Sequence, residues 1–119
     1  KRPHGFILDG QAATGITTWR RLFELFCQQL LKRNPALFRS LTEHPDFISN
    51  RGHRSFTARP EELRSASLIG DGLYAEVNLS ANGIRDTVRQ LLATFDIPTD
   101  RLQLYLRQDR NAGNKADEL

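Results

Sequence analysis

The apolar positions change period several times along the chain, and each change marks a predicted element. Phe6-Ile7-Leu8 and Ala12 to Ile16 flank Asp9-Gly10, a pair suited to a tight turn, which predicts an N-terminal β-hairpin. Trp19, Leu22, Phe23, Leu25, Phe26, Leu30 and Leu31 then recur at helical spacing behind Thr17 and Thr18, either of which can cap the helix. Pro35 disfavours helical geometry in the residue before it and suits the first turn of a new helix, so the first helix should stop near Arg33-Asn34. A second short helix over Pro35 to Leu41, with Leu37, Phe38 and Leu41 covering the end of the first, completes a bent helical pair.

From His44 to Arg59 the periodicity dissolves into Pro, Asn, Gly, Ser and Arg, with Phe47, Ile48 and Phe56 as apolar anchors. That composition predicts a long loop, with room for a short strand over Arg54 to Thr57. Pro60 to Arg64 fits one helical turn, its acids Glu61 and Glu62 near the N-terminal end. Ser67 to Ile69 and Leu73 to Leu79, on either side of Gly70-Asp71-Gly72, predict a second hairpin. Its longer strand would turn Leu73, Ala75, Val77 and Leu79 one way and Tyr74, Glu76 and Asn78 the other. Ser80 is suited to cap a helix from Ala81 to about Phe95, buried through Ile84, Val88, Leu91, Leu92 and Phe95. Asp96 to Asp100 breaks that helix, and Leu102, Leu104 and Leu106 alternate with Gln103, Tyr105 and Arg107 as a half-buried strand. Residues 108–119 are polar and predict a disordered tail. The whole reads as a single α+β domain over residues 1–119: hairpin, bent helical pair, basic loop, second hairpin, capped helix and closing strand.

With 119 residues, 39% of them hydrophobic and 26% charged, the chain can bury a core without disulfides or metals. Cys27 is its one cysteine, so neither an intrachain disulfide nor a multi-cysteine zinc site can form, and a reducing compartment is expected. No apolar stretch approaches the roughly 20 residues of a membrane span, and no secretory block opens the sequence. A soluble, cytoplasmic protein with no membrane partner follows. With no methionine and Lys1 first, the sequence reads as one domain excised from a longer chain. Fourteen arginines stand against three lysines, for a net charge of +3. The excess suits phosphate recognition, because the planar guanidinium pairs bidentately with phosphate oxygens; a GC-rich coding sequence would produce it equally.

The stretch Arg51 to Arg59 carries the most suggestive chemistry, with three arginines, a histidine, two hydroxyls and Phe56, and no acid. Arg51, Arg54 and Arg59 are expected on phosphates with help from His53, Ser55 and Lys32, while Arg33, Arg39 and Arg64 extend the patch and an exposed Phe56 stacks on a base. The competing reading is a solvated basic loop with Phe56 turned into the core. His4, His44 and His53 lack metal-ligand spacing, and His44 before Pro45 reads as a turn residue. Cys27 reads as a small buried hydrophobe, and the glycines form no phosphate loop. No catalytic residue, metal or cofactor is therefore expected. Asp9, Asp71 and Glu76 lie on or beside strands as the acids of metal-dependent nucleases do, but without the lysine that accompanies them, and turns explain Asp9 and Asp71 more simply.

The string Gly5-Phe6-Ile7-Leu8-Asp9-Gly10, then Thr18-Trp19 heading an amphipathic helix, then Tyr74-Ala75-Glu76-Val77-Asn78-Leu79-Ser80-Ala81-Asn82, resembles small uncharacterised domains attached to prokaryotic restriction-type and other DNA-processing proteins. The resemblance runs over residues 5–106. It implies an accessory or targeting module beside an effector domain and transfers no catalytic residue. The expected function is non-catalytic nucleic-acid binding, with DNA as partner. The alternative is a protein-interaction or dimerisation module, docking an effector domain or a second copy through a hairpin edge or the first helix.

Overall fold

A computed structural model of the chain describes residues 2–107 and 115–118. In chain order its elements are β1 (Arg2–Leu8), β2 (Gln11–Thr14), α1 (Trp19–Arg33), α2 (Pro35–Ser40), β3 (Phe56–Thr57), β4 (Ala66–Gly70), β5 (Leu73–Glu76), α3 (Ala81–Thr94), β6 (Leu102–Arg107) and β7 (Lys115–Glu118). Single 3₁₀ turns fall at Leu41–Glu43, Pro45–Phe47, Pro60–Glu62 and Thr99–Arg101. The fold is α+β with antiparallel sheets, as the spacing predicts. The segments up to Phe23 and from Ser80 form one compact unit, and Glu24–Leu79 forms a second.

The first unit is built on a sheet of order β2-β1-β6-β7. Asp9 and Gly10 take φ of 49° and 83°, the left-handed pair that a two-residue hairpin turn needs between β1 and β2. β1 starts earlier than its apolar run, because Arg2 and Pro3 pair with Arg107 and Leu106 of β6. Pro3 is tolerated in a central strand because the register shifts between Pro3 and Gly5, the kind of irregularity where a missing N–H costs no ladder bond. Leu102, Leu104 and Leu106 are buried while Gln103 is exposed, so the alternation read from the sequence is the one the sheet uses. Ser80 Oγ accepts from Gly83 N at 3.0 Å and caps α3, which buries Ile84, Val88, Leu91 and Leu92. Each such side chain adds about 1.5–3 kcal/mol of transfer free energy. Of the tail expected to be disordered, residues 108–114 and 119 lie outside the described residues. Lys115–Glu118 pair with β6, whose edge would otherwise be open.

Thr18 provides the cap of α1: its Oγ1 accepts from Arg21 N at 3.1 Å. In the second unit Asn34 Oδ1 accepts from Leu37 N at 3.1 Å, so the residue that ends α1 caps α2, with Pro35 at its first turn. A sheet of order β3-β5-β4 follows, its β4–β5 turn again made by Asp71 and Gly72 at φ of 52° and 72°. Ser67 Oγ donates to Glu24 Oε2 at 2.6 Å, tying β4 to α1. Phe26, Leu30, Phe38, Leu41, Phe47, Phe56, Leu73 and Ala75 are buried here. β5 ends at Glu76 rather than reaching Leu79, because the Glu76 carboxylate accepts from Asn78 N and turns the chain. Leu79, expected to share a strand face with Leu73, Ala75 and Val77, is exposed while those three are buried.

Cys27 is wholly buried on α1, and burial first, then the charge of Glu24, raises its thiol pKa well above the ordinary value. The folded chain thus keeps the thiol protonated where the unfolded chain, with a pKa of about 8.5, ionises it. The stability this contributes is complete below about pH 8.5 and is lost as pH rises above it, at up to about 1.4 kcal/mol per pH unit. Urea midpoints should decline above that onset in the wild type and less steeply in Cys27→Ala. A thiol reagent should react only on unfolding. Among the described residues no helix is long and apolar enough to cross a membrane.

Candidate functional site

The stretch expected to be a long loop is built in two parts. Phe47 to Ser55 fold back as a narrow antiparallel ribbon. Ser55 N donates to Phe47 O at 2.9 Å, Ile48 and Arg54 form a bridge, and Ser49 N donates to His53 O at 2.8 Å. Asn50-Arg51-Gly52 closes it: Gly52 N donates to Ser49 O at 2.9 Å and Gly52 sits at φ +80°. A type I turn followed by a left-handed residue is a common way to close a three-residue hairpin loop, and glycine takes that φ without strain. Ser49 Oγ accepts from His53 N at 3.1 Å and adds a rung. Beyond the ribbon the chain joins the sheet, with Ser55 O accepting from Glu76 N and with Phe56 and Thr57 opposite Ala75 and Tyr74.

Arg54 holds the ribbon to the preceding segment. Its Nε donates to Thr42 O and its Nη2 to Glu43 Oε2, both at 2.8 Å. The Glu43 hydrogen bond, with the charge of Glu43 behind it, raises the guanidinium pKa and keeps it charged. Arg59 Nη1 lies 3.8 Å from Glu62 Oε2, while Glu62 Oε1 accepts from Thr57 Oγ1 at 2.7 Å. Thr57 is buried and accepts in turn from Arg59 N at 3.1 Å, so both hydroxyl functions are used. Glu76 Oε1 accepts from Arg64 N at 2.8 Å, and its Oε2 accepts from Ser65 N at 3.0 Å and Asn78 N at 3.1 Å.

Two clefts open among these groups. One, of about 210 Å³, is lined by Thr42, Glu43, Arg54, Thr57, Ala58, Arg59 and Glu62. The other, of about 230 Å³, is lined by His53, Arg54, Glu62, Leu63, Arg64 and Glu76. Arg54 and Glu62 line both, so Arg59 stands in one cleft and His53 and Arg64 in its neighbour.

No protein-family model, curated protein or solved structure matches the chain.

Of the residues singled out from the sequence, Arg54, Arg59 and His53 come together around these clefts, and Arg64 joins them. Arg51 lies at the exposed ribbon tip, its side chain without a partner among the described residues. Ser55 is half-buried and engaged through its backbone. Lys32 borders neither cleft; it lines a separate hollow of about 560 Å³ with Gln28, Leu31, Pro35, Ile69, Gly70 and Asp71. Arg39 Nη2 donates to Asp71 O at 2.9 Å. Of the two readings of Phe56, the one that turns it into the core holds and base stacking is corrected: the ring is 0% exposed and packs edge-on to Phe38 and Phe47, with ring centroids 5.2 and 5.7 Å away.

The segment that is acid-free in sequence is not acid-free in space, since Glu43, Glu62 and Glu76 return to it. Only the Arg59 and Glu62 spacing could have signalled this, the two being three residues apart. The acids of the nuclease reading have structural employment: Asp9 holds the β1–β2 turn and lies 2.9 Å from Arg101 Nη2, and Glu76 binds backbone donors. Among the described residues, no group of three His, Cys, Asp or Glu side chains is placed to hold a metal ion. His44 is a turn residue, as its place before Pro45 predicts, its Nδ1 accepting from Asp46 N at 3.1 Å.

Proposed function

We propose that this chain is a non-catalytic nucleic-acid-binding module that binds its ligand through Arg51, Arg59, Arg64 and His53, as an accessory domain of a DNA-processing protein. The observation that carries the reading is the arrangement around Arg54. Its guanidinium is fixed by Thr42 and Glu43, and cations stand in the clefts it shares while Arg51 projects from the ribbon it anchors. Arg54 itself is a positioning residue, because its guanidinium is bonded to Thr42 O and Glu43 Oε2. The groups left to release counterions are few, which sets the size of the effect. With about three phosphates neutralised, log K should fall against log salt with a slope of about −2.7.

Simultaneous Arg51→Ala, Arg59→Ala and Arg64→Ala substitution is expected to abolish that salt-dependent binding in a fluorescence-anisotropy titration while leaving the thermal melt unchanged. Arg54 is left intact because removing it would loosen the ribbon and confuse folding with binding. Unaltered affinity in the triple variant would refute the site. A second reading rests on one face of the β2-β1-β6 strands, where His4, Gly5, Ile7, Ala12, Thr14 and Tyr105 line a mainly apolar groove of about 320 Å³. A dimer that forms with concentration, without salt-sensitive nucleic-acid binding, is the outcome that favours it.

A further inference from the structure

We infer that the ligand of this surface is duplex DNA, entered through its major groove by the ribbon tip Ser49–His53; the inference rests on the nucleic-acid reading above. The ribbon has the dimensions for it. Two strands lie about 4.8 Å apart, and with side chains they form a blade of about 10 Å that the roughly 12 Å major groove of B-form DNA admits. Residues Ser49 to His53 are exposed without interruption, while Ile48 and Arg54 are half-buried. Beyond that rung Ser49 and His53 add one strand step of about 3.3 Å, and the whole Asn50-Arg51-Gly52 turn lies further out, toward a groove about 8.5 Å deep.

The tip residues have base-edge chemistry. Asn50, with an amide donor and acceptor side by side, matches the adenine edge, and Arg51, with paired N–H donors, matches the two acceptors of guanine; both are exposed. Arg51 also has no acid partner among the described residues, so its charge is not already neutralised. Arg59 and Arg64, in the clefts on either side of Arg54, are left for the flanking backbone.

The same surface is poorly made for other nucleic acids. Single strands are held by aromatic stacking platforms, and the aromatic rings of this stretch, Phe47 and Phe56, are buried at 2% and 0% exposure. A-form RNA has a major groove too narrow for side chains to read.

The test is anisotropy with a mixed-sequence DNA duplex about two helical turns long, one of its strands alone, and the RNA duplex of the same sequence. Wild type should bind the DNA duplex about tenfold or more tightly than the other two. Arg51→Ala should erase that preference with an unchanged melt, whereas Arg64→Ala should weaken all three ligands alike. A ligand saturating the major groove should compete, and one saturating the minor groove should not. Equal or tighter binding of single-stranded DNA or of RNA, or competition from the minor groove alone, would overturn the duplex assignment while leaving the nucleic-acid reading standing. Absence of salt-sensitive binding to all three probes would instead remove the nucleic-acid reading, and this inference with it.

Discussion

Phe56→Ala is expected to cost about 3–5 kcal/mol, read as a large drop in the urea midpoint or as a fall of about 15 °C or more in Tm. The ring is wholly buried, and it meets Phe38 and Phe47 edge to face, so alanine removes its transfer free energy and leaves a cavity between two aromatic rings that cannot collapse onto each other. For a domain with roughly 5–15 kcal/mol in hand, that is about a fifth or more of the total. The loss also reaches the site. Phe47 sits at the base of the ribbon and Phe56 begins β3, so the cluster sets where the ribbon leaves the sheet. Phe56→Leu fills most of the volume and should cost no more than about half as much. Its nucleic-acid affinity should be that of the wild type, because the ring does not reach solvent. A leucine variant that folds normally yet loses affinity for single strands would show that the burial described for Phe56 is wrong.

What could be read from the sequence is what local chemistry dictates. Asp9-Gly10 and Asp71-Gly72 both form left-handed turns, because that dipeptide is the cheapest way to reach two successive positive φ angles. Thr18, Asn34 and Ser80 all end as helix caps, each hydroxyl or amide oxygen meeting the N–H three residues on. The alternation of Leu102, Leu104 and Leu106 survives in β6 because that strand has one buried face. The ribbon from Phe47 to Ser55 was not legible, and the reason is physical. Its rungs are backbone hydrogen bonds, its exposed end is Ser, Asn, Arg, Gly and His, and no face of it is buried along its length, so no period of two could be written into its side chains. The same locality explains the acids. Glu43 reaches Arg54 and Glu76 reaches the Arg64 backbone N–H through chain reversal and sheet pairing, which composition within a window cannot register, whereas Glu62 meets Arg59 three residues away. Sheet membership was equally out of reach: β6 joins the first hairpin while the second pairs with β3, a choice made by long-range packing.

Glu76→Ala is expected to cost about 2–3 kcal/mol, and the loss should appear in folding rather than in any chemical step. One carboxylate here accepts three backbone N–H groups, from Arg64 and Ser65 ahead of β4 and from Asn78 beyond β5, so it staples the open end of the second hairpin. Arg64 and Asn78 are exposed and water can replace their bonds, whereas Ser65 is half-buried; its N–H should therefore carry most of the penalty. Glutamine cannot restore the arrangement. It has one oxygen where the staple uses two, and whichever way its amide turns, its NH₂ group faces a backbone donor. Glu76→Gln should consequently fall nearer to alanine than to wild type in urea denaturation. Amide hydrogen exchange should quicken at Ser65 in both variants, since that N–H opens without the rest of the sheet. A glutamate serving metal-dependent cleavage predicts the opposite pattern, with Glu76→Gln holding full stability while magnesium-dependent activity disappears. Wild-type stability and unchanged Ser65 exchange in Glu76→Gln would return this acid to the list of catalytic candidates, and the turn at Asn78 that exposes Leu79 would then need another cause.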